Sequence, residues 1–256
     1  GSSMRLDQAI SNGGKSDTQG KDTEAWQDGW VRYNGSIYEY NQDVLTFLIM
    51  GIDNECPVQK AKDGISGGQM DAVFLLVMNP DDKKVRIMAI NRNTMTDIDV
   101  YDKDGRYVGT GKAQICLAHG YGNGMEQSCE RSEKAVSNLL YSLPIQGYCA
   151  INQGCIAMIN DGIGGITVDK MEYVDGKVVK GAPETLTGED AYEYITDRGD
   201  DFNSSSYRLE KQEDFIKSYM KKLMESVKKN PGMIVSIYKT IKPYIVTNVD
   251  VSEITY

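Results

Sequence analysis

Three short apolar runs mark the first half of the patterned sequence. They cover residues 45–51, 72–78 and 85–90, and each is nearly continuous in hydrophobic residues. Such runs are typical of strands that are buried on both faces of a sheet. The second and third runs are joined by residues 79–83, a connection short enough for an antiparallel hairpin. The runs therefore predict the centre of a buried sheet.

Helical patterns appear further along and alternate with more strands. Residues 132–143 and 207–228 both repeat apolar residues at a helical spacing. Strands interleaved with helices predict an α/β layered domain. The shorter predicted elements are a strand over Gly147–Asn152, a short helix over 154–160, a glycine turn that enters a strand over 162–168, a helix over Glu189–Thr196 opened by a capping box at Thr187, and the start of one more helix over 247–252.

The first 44 residues lack this patterning. Residues 1–3 resemble a cloning remnant, and residues 4–44 are polar, with an aromatic-rich stretch over 30–40. This composition predicts a flexible stalk over residues 4–44 and a folded domain over residues 45–256. The sequence shows neither a signal peptide nor an apolar run of about 18 residues, so a native membrane anchor would have to precede it.

Charge and cysteine content narrow the function classes. The 256-residue chain has a formal net charge of −9, which argues against nucleic acid as a partner because nucleic-acid-binding proteins usually carry a basic excess. Five cysteines are scattered without the spacing of a zinc site. They fit either buried free thiols or, in an exported protein, a disulfide for which Cys116–Cys129 is the predicted pair. The single histidine, His119, has no partner at metal-binding spacing.

The segment from Arg198 to Gln212 is the clearest candidate for a binding site. It combines two arginines, Asp200 and Asp201 with the start of the long predicted helix. Arg208 and Gln212 are four residues apart and share one face of that helix. A helix N-terminus beside an arginine is a favourable site for an anion such as phosphate. The segment predicts half of a phosphate or pyrophosphate site; the alternative is the polar face of a surface helix.

Three more charged residues stand at the ends of predicted strands. Asp53 follows the first apolar run, Asp71 precedes the second, and Arg92 follows the third. The two aspartates would meet at one edge of the sheet if their strands are antiparallel neighbours; otherwise they are ordinary strand-end turn residues. An arginine directly after a buried strand is unusual for a solvated charge, which favours a functional role for Arg92.

Taken in order, these segments resemble the LytR–CpsA–Psr (LCP) family over residues 45 to about 250. Each segment alone is weakly specific, but seven in the same order along the chain are specific. The segments that carry the resemblance are Phe47-Leu-Ile-Met-Gly-Ile-Asp53, Met70-Asp71-Ala-Val-Phe-Leu-Leu-Val, Ala89-Ile-Asn-Arg92-Asn-Thr94, Lys112-Ala-Gln, Ile159-Asn-Asp-Gly-Ile-Gly-Gly-Ile166, Leu186-Thr-Gly-Glu-Asp-Ala-Tyr-Glu-Tyr194, and Arg198 through Gln212.

The resemblance implies a layered α-β-α domain with a central mixed sheet. It also implies a bacterial enzyme on the extracellular face of the cytoplasmic membrane, held by a single N-terminal anchor that precedes this sequence. Such enzymes transfer a phosphate-linked glycopolymer, such as teichoic acid or capsule, from a polyprenyl pyrophosphate carrier to peptidoglycan. The implied partners are therefore the lipid-linked glycan, peptidoglycan and the membrane, with no nucleic acid.

By motif position, the resemblance assigns roles to six residues. Asp53 and Asp71 would hold Mg²⁺ or Mn²⁺, and Asp71 and Arg92 would be catalytic. These assignments agree with the chemistry, because arginine binds phosphate oxygens in a bidentate manner and magnesium prefers carboxylate and phosphate oxygens. The residues that would bind the pyrophosphate are Arg92, Arg198, Arg208 and Gln212.

Four positions depart from the residues that are usual in the family. The family commonly has arginine where this chain has Glu55, Gln69 and Thr196, and aspartate where it has Asn93. At about 1.5–3 kcal/mol for each charged hydrogen bond, three missing arginines would weaken pyrophosphate binding by orders of magnitude. Two alternatives to transfer therefore stay open: a diverged member that binds polyprenyl pyrophosphate or cell-wall glycan without catalysis, and a hydrolase that only cleaves pyrophosphate.

Overall fold

The computed structural model describes residues 3–4, 26–27, 29–175, 177–197 and 204–250. The strands are β1 (Ser3–Met4), β2 (Trp30–Tyr33), β3 (Ser36–Asn41), β4 (Leu45–Ile52), β5 (Met70–Asn79), β6 (Lys84–Ala89), β7 (Met95–Tyr101), β8 (Tyr107–Gln114), β9 (Gly147–Asn152), β10 (Ile166–Val174), β11 (Lys177–Leu186) and β12 (Ile245–Thr247). The helices are α1 (Glu126–Leu139), α2 (Ile156–Gly162), α3 (Glu189–Thr196), α4 (Ser204–Lys229) and α5 (Gly232–Ile241), with 3-10 turns at Ile115–Gly120, Gln153–Cys155 and Lys242–Tyr244.

Five strands form the central sheet, in the order β12-β9-β4-β5-β6. Strand β4 pairs antiparallel with β5 and parallel with β9, and β5 turns back antiparallel into β6. The sheet is therefore mixed, as predicted, and residues 79–83 make the predicted hairpin connection. The near-continuous apolar runs of β4 and β5 suit strands that are covered on both faces.

One face of the central sheet, here called the closed face, is fully covered. Leu48, Met50 and Leu75 are 0% exposed. They belong to a single hydrophobic cluster with Val136 of α1 and Ile115 of the preceding 3-10 turn. Full burial of such a side chain contributes about 1.5–3 kcal/mol. The closed face therefore supplies a large part of the stability of the domain.

The opposite face, here called the open face, looks toward helices α2 to α4. These helices and β10 build a second hydrophobic cluster, which includes Ile166, Ala191 and Phe215. Helix α5 joins this layer by packing Ile237 over Gly162 at the end of α2. The helices do not fill the space above the sheet, and a cavity remains there. None of the helices described in the structure is both long enough and apolar enough to cross a membrane.

Strand β5 has one residue more than β4 at the start of their pairing. Gly51 is opposite Ala72, but Ile52 is opposite Met70, so Asp71 has no partner on β4. A β-bulge of this kind re-aims a side chain and is common beside functional sites. Met70 joins the closed-face cluster, whereas Asp71 and Ala72 both line the cavity of the open face. The shift therefore turns a carboxylate toward the helices.

Part of the segment predicted as a flexible stalk is folded. Strands β2 and β3 form a hairpin, and Val31 and Tyr40 join the closed-face cluster. The hydroxyl of Tyr40 donates to the carbonyl of Leu140 at 3.1 Å, and burial raises the pKa of Tyr40 to about 12. The boundary predicted at residue 45 is therefore too late for this hairpin, because Val31 and Tyr40 pack on the domain. Residues 5–25 lie outside the described part of the chain.

The predicted bounds of Gly147–Asn152 and Glu189–Thr196 coincide with β9 and α3, but α1 differs. It begins at Glu126 and ends at Leu139, earlier than the predicted 132–143. Tyr141 and Ser142 have φ of 57° and 62°, a left-handed backbone conformation that cannot continue a helix. The helical spacing of apolar residues in the sequence did not predict this turn.

Two predicted helix starts are also different. Gly188, with φ of 53°, is the N-cap of α3, and Thr187 does not cap the helix through its side chain. Where a further helix was predicted from residue 247, the chain forms β12, and the Asn248 side-chain oxygen then accepts the N–H of Tyr148 at 2.8 Å. Pairing with β9 therefore prevails over the capping pattern through residue 250, and residues 251–256 lie outside the described residues.

The five cysteines are free thiols, so the predicted Cys116–Cys129 disulfide is wrong. Both side chains are buried but have different neighbours. Cys116 Sγ lies 3.6 Å from a guanidinium nitrogen of Arg92, and Cys129 Sγ lies 3.9 Å from His119 Nε2. Burial raises the pKa of the Cys129 thiol, which keeps it protonated at neutral pH. Cys116 and Cys129 act as packing residues, which was the other interpretation of the sequence.

Candidate functional site

The centre of the site is the carboxylate of Asp71 at the register shift of β5. Arg92 Nη1 forms an ion pair with Asp71 Oδ1, and Arg208 Nη1 forms another with Asp71 Oδ2 at 3.2 Å. The side chains of Asp71, Arg92 and Arg208 are only 12%, 16% and 6% exposed, so solvent screens these charges weakly. Asp71, Arg92 and Arg208 are here called the Asp71 cluster.

Arg92 is held by both its side chain and its main chain. Its Nη2 donates to Gln69 Oε1 at 2.6 Å, and its carbonyl accepts the N–H of Cys116 at 3.2 Å. Just upstream, the N–H of Ile90 donates to the carbonyl of Val73 at 2.9 Å, which ties the end of β6 to β5. The guanidinium is therefore positioned before any ligand binds.

Helix α4 brings Arg208 and Gln212 to the same place, one helical turn apart, as the sequence predicts. Both side chains are buried. Gln212 Nε2 donates to the carbonyl of Ile195 near the end of α3 at 3.2 Å, and Gln212 also lines the cavity. Arg198, Asp200 and Asp201 lie outside the described residues, so the role assigned to Arg198 stays a prediction.

Asp53 lies across from the register shift, just beyond β4. Its N–H donates to the carbonyl of Gln69 at 3.0 Å, which continues the pairing of β4 with β5. Its Oδ1 accepts from Gln153 Nε2 at 3.0 Å, and the side chain is exposed. Because β4 and β5 are antiparallel neighbours, Asp53 and Asp71 stand at the same end of the sheet, the condition set by the sequence.

A buried lysine beside this site was missed by sequence reasoning. Lys211 is 5% exposed, and its Nζ forms an ion pair with Asp197 Oδ2 at 2.5 Å. The ammonium also lies 5.0 Å and 4.7 Å from the ring centroids of Tyr194 and Tyr207. This pair fastens the end of α3 to α4. The one signal in the sequence was weak: Tyr207 and Lys211 are four residues apart on the predicted helix.

An apolar cavity of about 200 Å³ extends from the Asp71 cluster between the open face and helices α2 to α4. Among the described residues, Asp71, Gln153, Thr196 and Gln212 are the polar residues of its lining, and Tyr219 adds a phenol. Much of the wall is hydrocarbon, contributed by the sheet, by α2 and by α4. Among these apolar residues are Phe74, Leu76, Ile159, Phe215, Ile216 and Met220. The site thus joins a charged end to a hydrophobic cavity.

The LytR_cpsA_psr family model matches residues 4–256 of the sequence, which is nearly the whole chain. The chain belongs to this family. The match confirms the family predicted from the seven ordered segments, and it includes the hairpin that precedes residue 45.

Relatives and solved structures agree with this family. The chain is 28% identical over 193 residues to the polyisoprenyl-teichoic acid–peptidoglycan teichoic acid transferase TagU of Enterococcus faecalis, covering 72% of this chain and 55% of that protein. The fold is similar to that of protein gbs0355 from Streptococcus agalactiae, with a TM-score of 0.66, 21% identity, and coverage of 83% and 71% of the two chains. It is also similar to TagV of B. subtilis, with a TM-score of 0.61, 21% identity, and coverage of 84% and 78%. The chain thus spans a little over half the length of that transferase.

The four positions that depart from the LytR_cpsA_psr pattern have local partners. Gln69 accepts from Arg92, and Glu55 Oε1 accepts from the hydroxyl of Tyr192 at 2.8 Å, a bond that raises the pKa of Tyr192. Thr196 Oγ1 donates to the carbonyl of Tyr192 at 2.8 Å. The backbone N–H of Asn93 donates to Asn91 Oδ1 at 2.9 Å.

The carboxylates of Asp53 and Asp71 are of the type that a hard cation such as Mg²⁺ prefers, although both already have protein partners. Within the described ranges, no group of three or more His, Cys, Asp or Glu side chains is arranged to hold a metal ion. Mg²⁺ does not need such a group, since it commonly takes one or two carboxylates together with phosphate oxygens. Asp53 keeps an exposed carboxylate, whereas both oxygens of Asp71 face arginines. The donor set therefore fits Mg²⁺ or Mn²⁺ in the company of a phosphate ligand.

His119 lies on the other side of the sheet from this site. It is 1% exposed, and its Nδ1 is 2.9 Å from the carbonyl of Gly67. Burial lowers the pKa of His119 to about 4, because the charged imidazolium is poorly solvated there. The histidine is therefore a neutral core residue.

Proposed function

We propose that this protein transfers a phosphate-linked glycopolymer, such as teichoic acid or capsule, from a polyprenyl pyrophosphate carrier to peptidoglycan. The observation that carries the proposal is the junction of the Asp71 cluster with the apolar cavity. A polyprenyl pyrophosphate has the same division into a multiply charged head and a hydrocarbon tail. The printed name of the E. faecalis relative, a polyisoprenyl-teichoic acid–peptidoglycan transferase, supports the same reaction.

The arginines would bind the head of the carrier. A guanidinium offers several donors that match phosphate oxygens, and hydrogen bonds to an ionised phosphate are short and strong. Arg208 is 5% exposed, so its interaction with an anion is weakened little by water. Gln212 and, by prediction, Arg198 would add further contacts.

Breaking the bridge of the pyrophosphate releases polyprenyl phosphate and needs its developing charge to be stabilised. Mg²⁺ or Mn²⁺ held by Asp53 and Asp71 would supply charge neutralisation at the phosphate oxygens. Asp71 also orients Arg92 and Arg208 through the two ion pairs. Arg92 and Asp71 are for these reasons the proposed catalytic residues.

The proposed place of action is the extracellular face of a bacterial cytoplasmic membrane, with an anchor that precedes this sequence. Peptidoglycan lies outside that membrane, and the relative's printed name describes transfer to peptidoglycan. The proposed partners are accordingly the lipid-linked glycan, peptidoglycan and the membrane.

Non-catalytic binding is the second candidate, and the rim of the site favours it. Glu55 places a carboxylate beside Asp53, and Gln69 takes a hydrogen bond from Arg92 without adding charge. Both features lower the positive potential available to the transferring phosphate. A hydrolase that cleaves pyrophosphate without an acceptor is a third candidate with the same residues.

One experiment separates the three functions. The protein is incubated with a polyprenyl pyrophosphate-linked glycan, peptidoglycan fragments and Mg²⁺, and both polyprenyl phosphate and glycan-modified fragments are measured. Transfer gives both products, a hydrolase gives only polyprenyl phosphate, and a binder gives affinity without either. If neither affinity nor release is seen with any polyprenyl pyrophosphate, the lipid-carrier proposal is wrong and glycan binding becomes the better account.

Variants locate the activity. Arg92→Ala and Arg208→Ala should each weaken binding of polyprenyl pyrophosphate by about 10–100-fold, from the value of one charged hydrogen bond. Asp71→Ala should retain affinity and lose Mg²⁺-dependent release. Arg106→Ala is the matched control, since Arg106 is 79% exposed and pairs with Asp104 on the hairpin β7–β8. A loss of binding in the Arg106 variant would contradict a role specific to the cluster.

A further inference from the structure

The apolar lining of the cavity continues to the protein surface along the sheet. Leu76 lines the cavity, and Met78, two residues further on the same face of β5, is 38% exposed. Met78 is directly opposite Leu45 on β4 and directly opposite Val85 on β6. These two neighbours are 36% and 39% exposed. Three adjacent apolar side chains therefore stand uncovered at the end of the sheet away from Asp71.

The helical wall of the cavity continues in the same way. Arg208 contacts Asp71 near the start of α4, and Met220 lines the cavity three turns later. Met224 is one turn beyond Met220 on the same side of the helix and is 51% exposed. Lys221 and Lys228, three before and four after Met224, share its face and are both exposed.

The charge of this part of the chain is opposite to that of the rest. Residues 216–245 contain seven lysines and one glutamate, a net charge of +6. The whole chain carries −9, so the remaining residues carry −15. Cations are therefore concentrated in the segment that contains Met224. The surface that combines Leu45, Met78, Val85 and Met224 with the nearby lysines is called the basal surface below.

Several of these lysines are available to an external partner. Lys217 pairs with Glu213, and Lys222 donates to the carbonyls of Gly164 and Gly165, so both have structural uses. Lys221, Lys228 and Lys229 are exposed, and within the described ranges they form no ion pair. Exposed hydrocarbon beside unpaired lysines is the composition of surfaces that lie on anionic membranes.

We infer that the basal surface docks on an anionic lipid bilayer, so that the cavity opens toward the hydrocarbon of the membrane. The inference rests on the proposed function, because it assigns the cavity to a lipid chain that must leave and re-enter a bilayer. Lysine stems cover apolar surface while their ammonium groups reach phosphate head groups, and Met224 and Met78 would contact the acyl boundary. A protein partner would not require the basic charge to coincide with the mouth of a lipid-sized channel.

Sedimentation with lipid vesicles tests the inference. The protein, with its net negative charge, should bind vesicles of phosphatidylcholine mixed with phosphatidylglycerol and should bind pure phosphatidylcholine much more weakly. Replacing Lys221, Lys228 and Lys229 together by glutamate should weaken binding by about 100-fold or more, since each basic residue near an anionic surface contributes about a fivefold factor. Met224→Ser should weaken binding by several-fold, whereas Met95→Ser, which changes a methionine that is 54% exposed on β7, should not.

A charge-matched variant provides the main control. Replacing Lys60, Lys62 and Lys177 by glutamate changes the net charge equally but leaves the basal surface intact, since all three are exposed elsewhere. This variant should keep at least half of the vesicle binding. Circular dichroism and thermal unfolding show whether each variant is folded. Equal losses in the two triple variants, or no binding by the unchanged protein, would overturn the inference.

A short, water-soluble prenyl pyrophosphate separates this inference from the proposed function. It reaches the site without a bilayer, so its affinity reports on the Asp71 cluster alone. Normal affinity for this ligand in the basal triple variant, together with lost vesicle binding, is the result expected. In the unchanged protein, vesicle binding without affinity for the prenyl pyrophosphate would refute the proposed function, and affinity for the prenyl pyrophosphate without vesicle binding would refute the docking surface.

Discussion

The two faces of the central sheet are built from the same strands but have different tasks. On β5, Leu75 points into the closed face and is 0% exposed, whereas its neighbour Leu76 points to the open face and lines the cavity. Successive residues of a strand alternate between faces, so one strand can serve two purposes at once. The closed face is packed like a protein interior, and the open face leaves room for a ligand.

This difference shows where stability and binding are separated. Side chains in a cavity wall lack dispersion contacts that they would make in a filled core. A side chain of the open face therefore contributes less to the free energy of unfolding than one of equal size on the closed face. The domain tolerates this because the closed face, with α1 and the 3-10 turn before it, is complete. Substitutions on the closed face should therefore lower the free energy of unfolding, and substitutions on the open face should mainly lower the affinity for a ligand.

The largest effect is expected from a pair of neighbouring substitutions. Leu75→Ala should lower the free energy of unfolding by about 2–5 kcal/mol, because it leaves a hole in a filled core. Leu76→Ala should cost less than about 1.5 kcal/mol, because its side chain already borders empty space. Denaturant titration of both variants measures the difference. Equal losses would mean that the open face is as important for folding as the closed face.

The next largest effect concerns His119, the closed-face histidine whose pKa burial lowers to about 4. Its unfolded pKa is about 6.5, so between these values only the unfolded chain takes up the proton. The contribution of the neutral imidazole to the free energy of unfolding is fully present above pH 6.5. It is lost as the pH drops toward 4, and the total loss is about 3 kcal/mol.

Denaturant titrations at pH 5 and 7 measure this dependence, and His119→Gln should flatten it. Because the chain has one histidine, the difference between the two proteins isolates a single group. An NMR titration of the unchanged protein provides an independent reading: the native imidazole signal should not titrate above pH 5. A midpoint near 6.5 would contradict the buried, neutral state.

A smaller effect is expected from narrowing the open-face cavity. Met220→Trp adds bulk on the α4 wall at a distance from Arg208, so it should block the far part of a long prenyl chain. Binding of a long-chain polyprenyl pyrophosphate should weaken by about 10–100-fold, the usual cost of overpacking. A short-chain analogue should bind as before. Equal weakening of both ligands would show that the substitution disturbs the Asp71 cluster instead.

The smallest effect is expected at the rim of the site. Tyr192→Phe removes the hydrogen bond from the Tyr192 hydroxyl to Glu55. Because this bond is exposed, the free energy of unfolding should change by less than about 0.5 kcal/mol. Thermal unfolding of the variant beside the unchanged protein measures it. A loss as large as that expected for Leu75→Ala would show that the rim is coupled to the closed face.

The sequence predicted the elements whose pattern is local. The apolar runs of β4, β5 and β6 follow from burial on both faces, and the family resemblance brought Asp71, Arg92 and Arg208 together from distant segments. Contacts that depend on tertiary packing could not be predicted from the sequence. Nothing in residues 4–44 showed that Val31 and Tyr40 would pack on the core, and their polar surroundings predicted a stalk instead.

The errors at polar positions have a common cause. Cys116 and Cys129 were the predicted pair for a disulfide in an exported protein, yet Arg92 and His119 are their neighbours. Sequence reasoning assigned no role to Lys211, although the aromatic rings around it and Asp197 make a buried site for its ammonium. In each case the deciding partner is on another element, and a one-dimensional pattern carries no signal of it.

The register shift at Asp71 has a consequence for how this site can change in evolution. Asp71 has no partner on β4, so substituting it leaves the alternation of Met70 and Ala72 undisturbed. Deleting one residue there would instead regularise the ladder and move the carboxylate position itself. We therefore expect substitution of Asp71 to remove the carboxylate while the strand pairing stays in place, and a one-residue deletion to change both the pairing and the site. In related sequences, either a different amino acid or a gap at this position would then mark loss of the site.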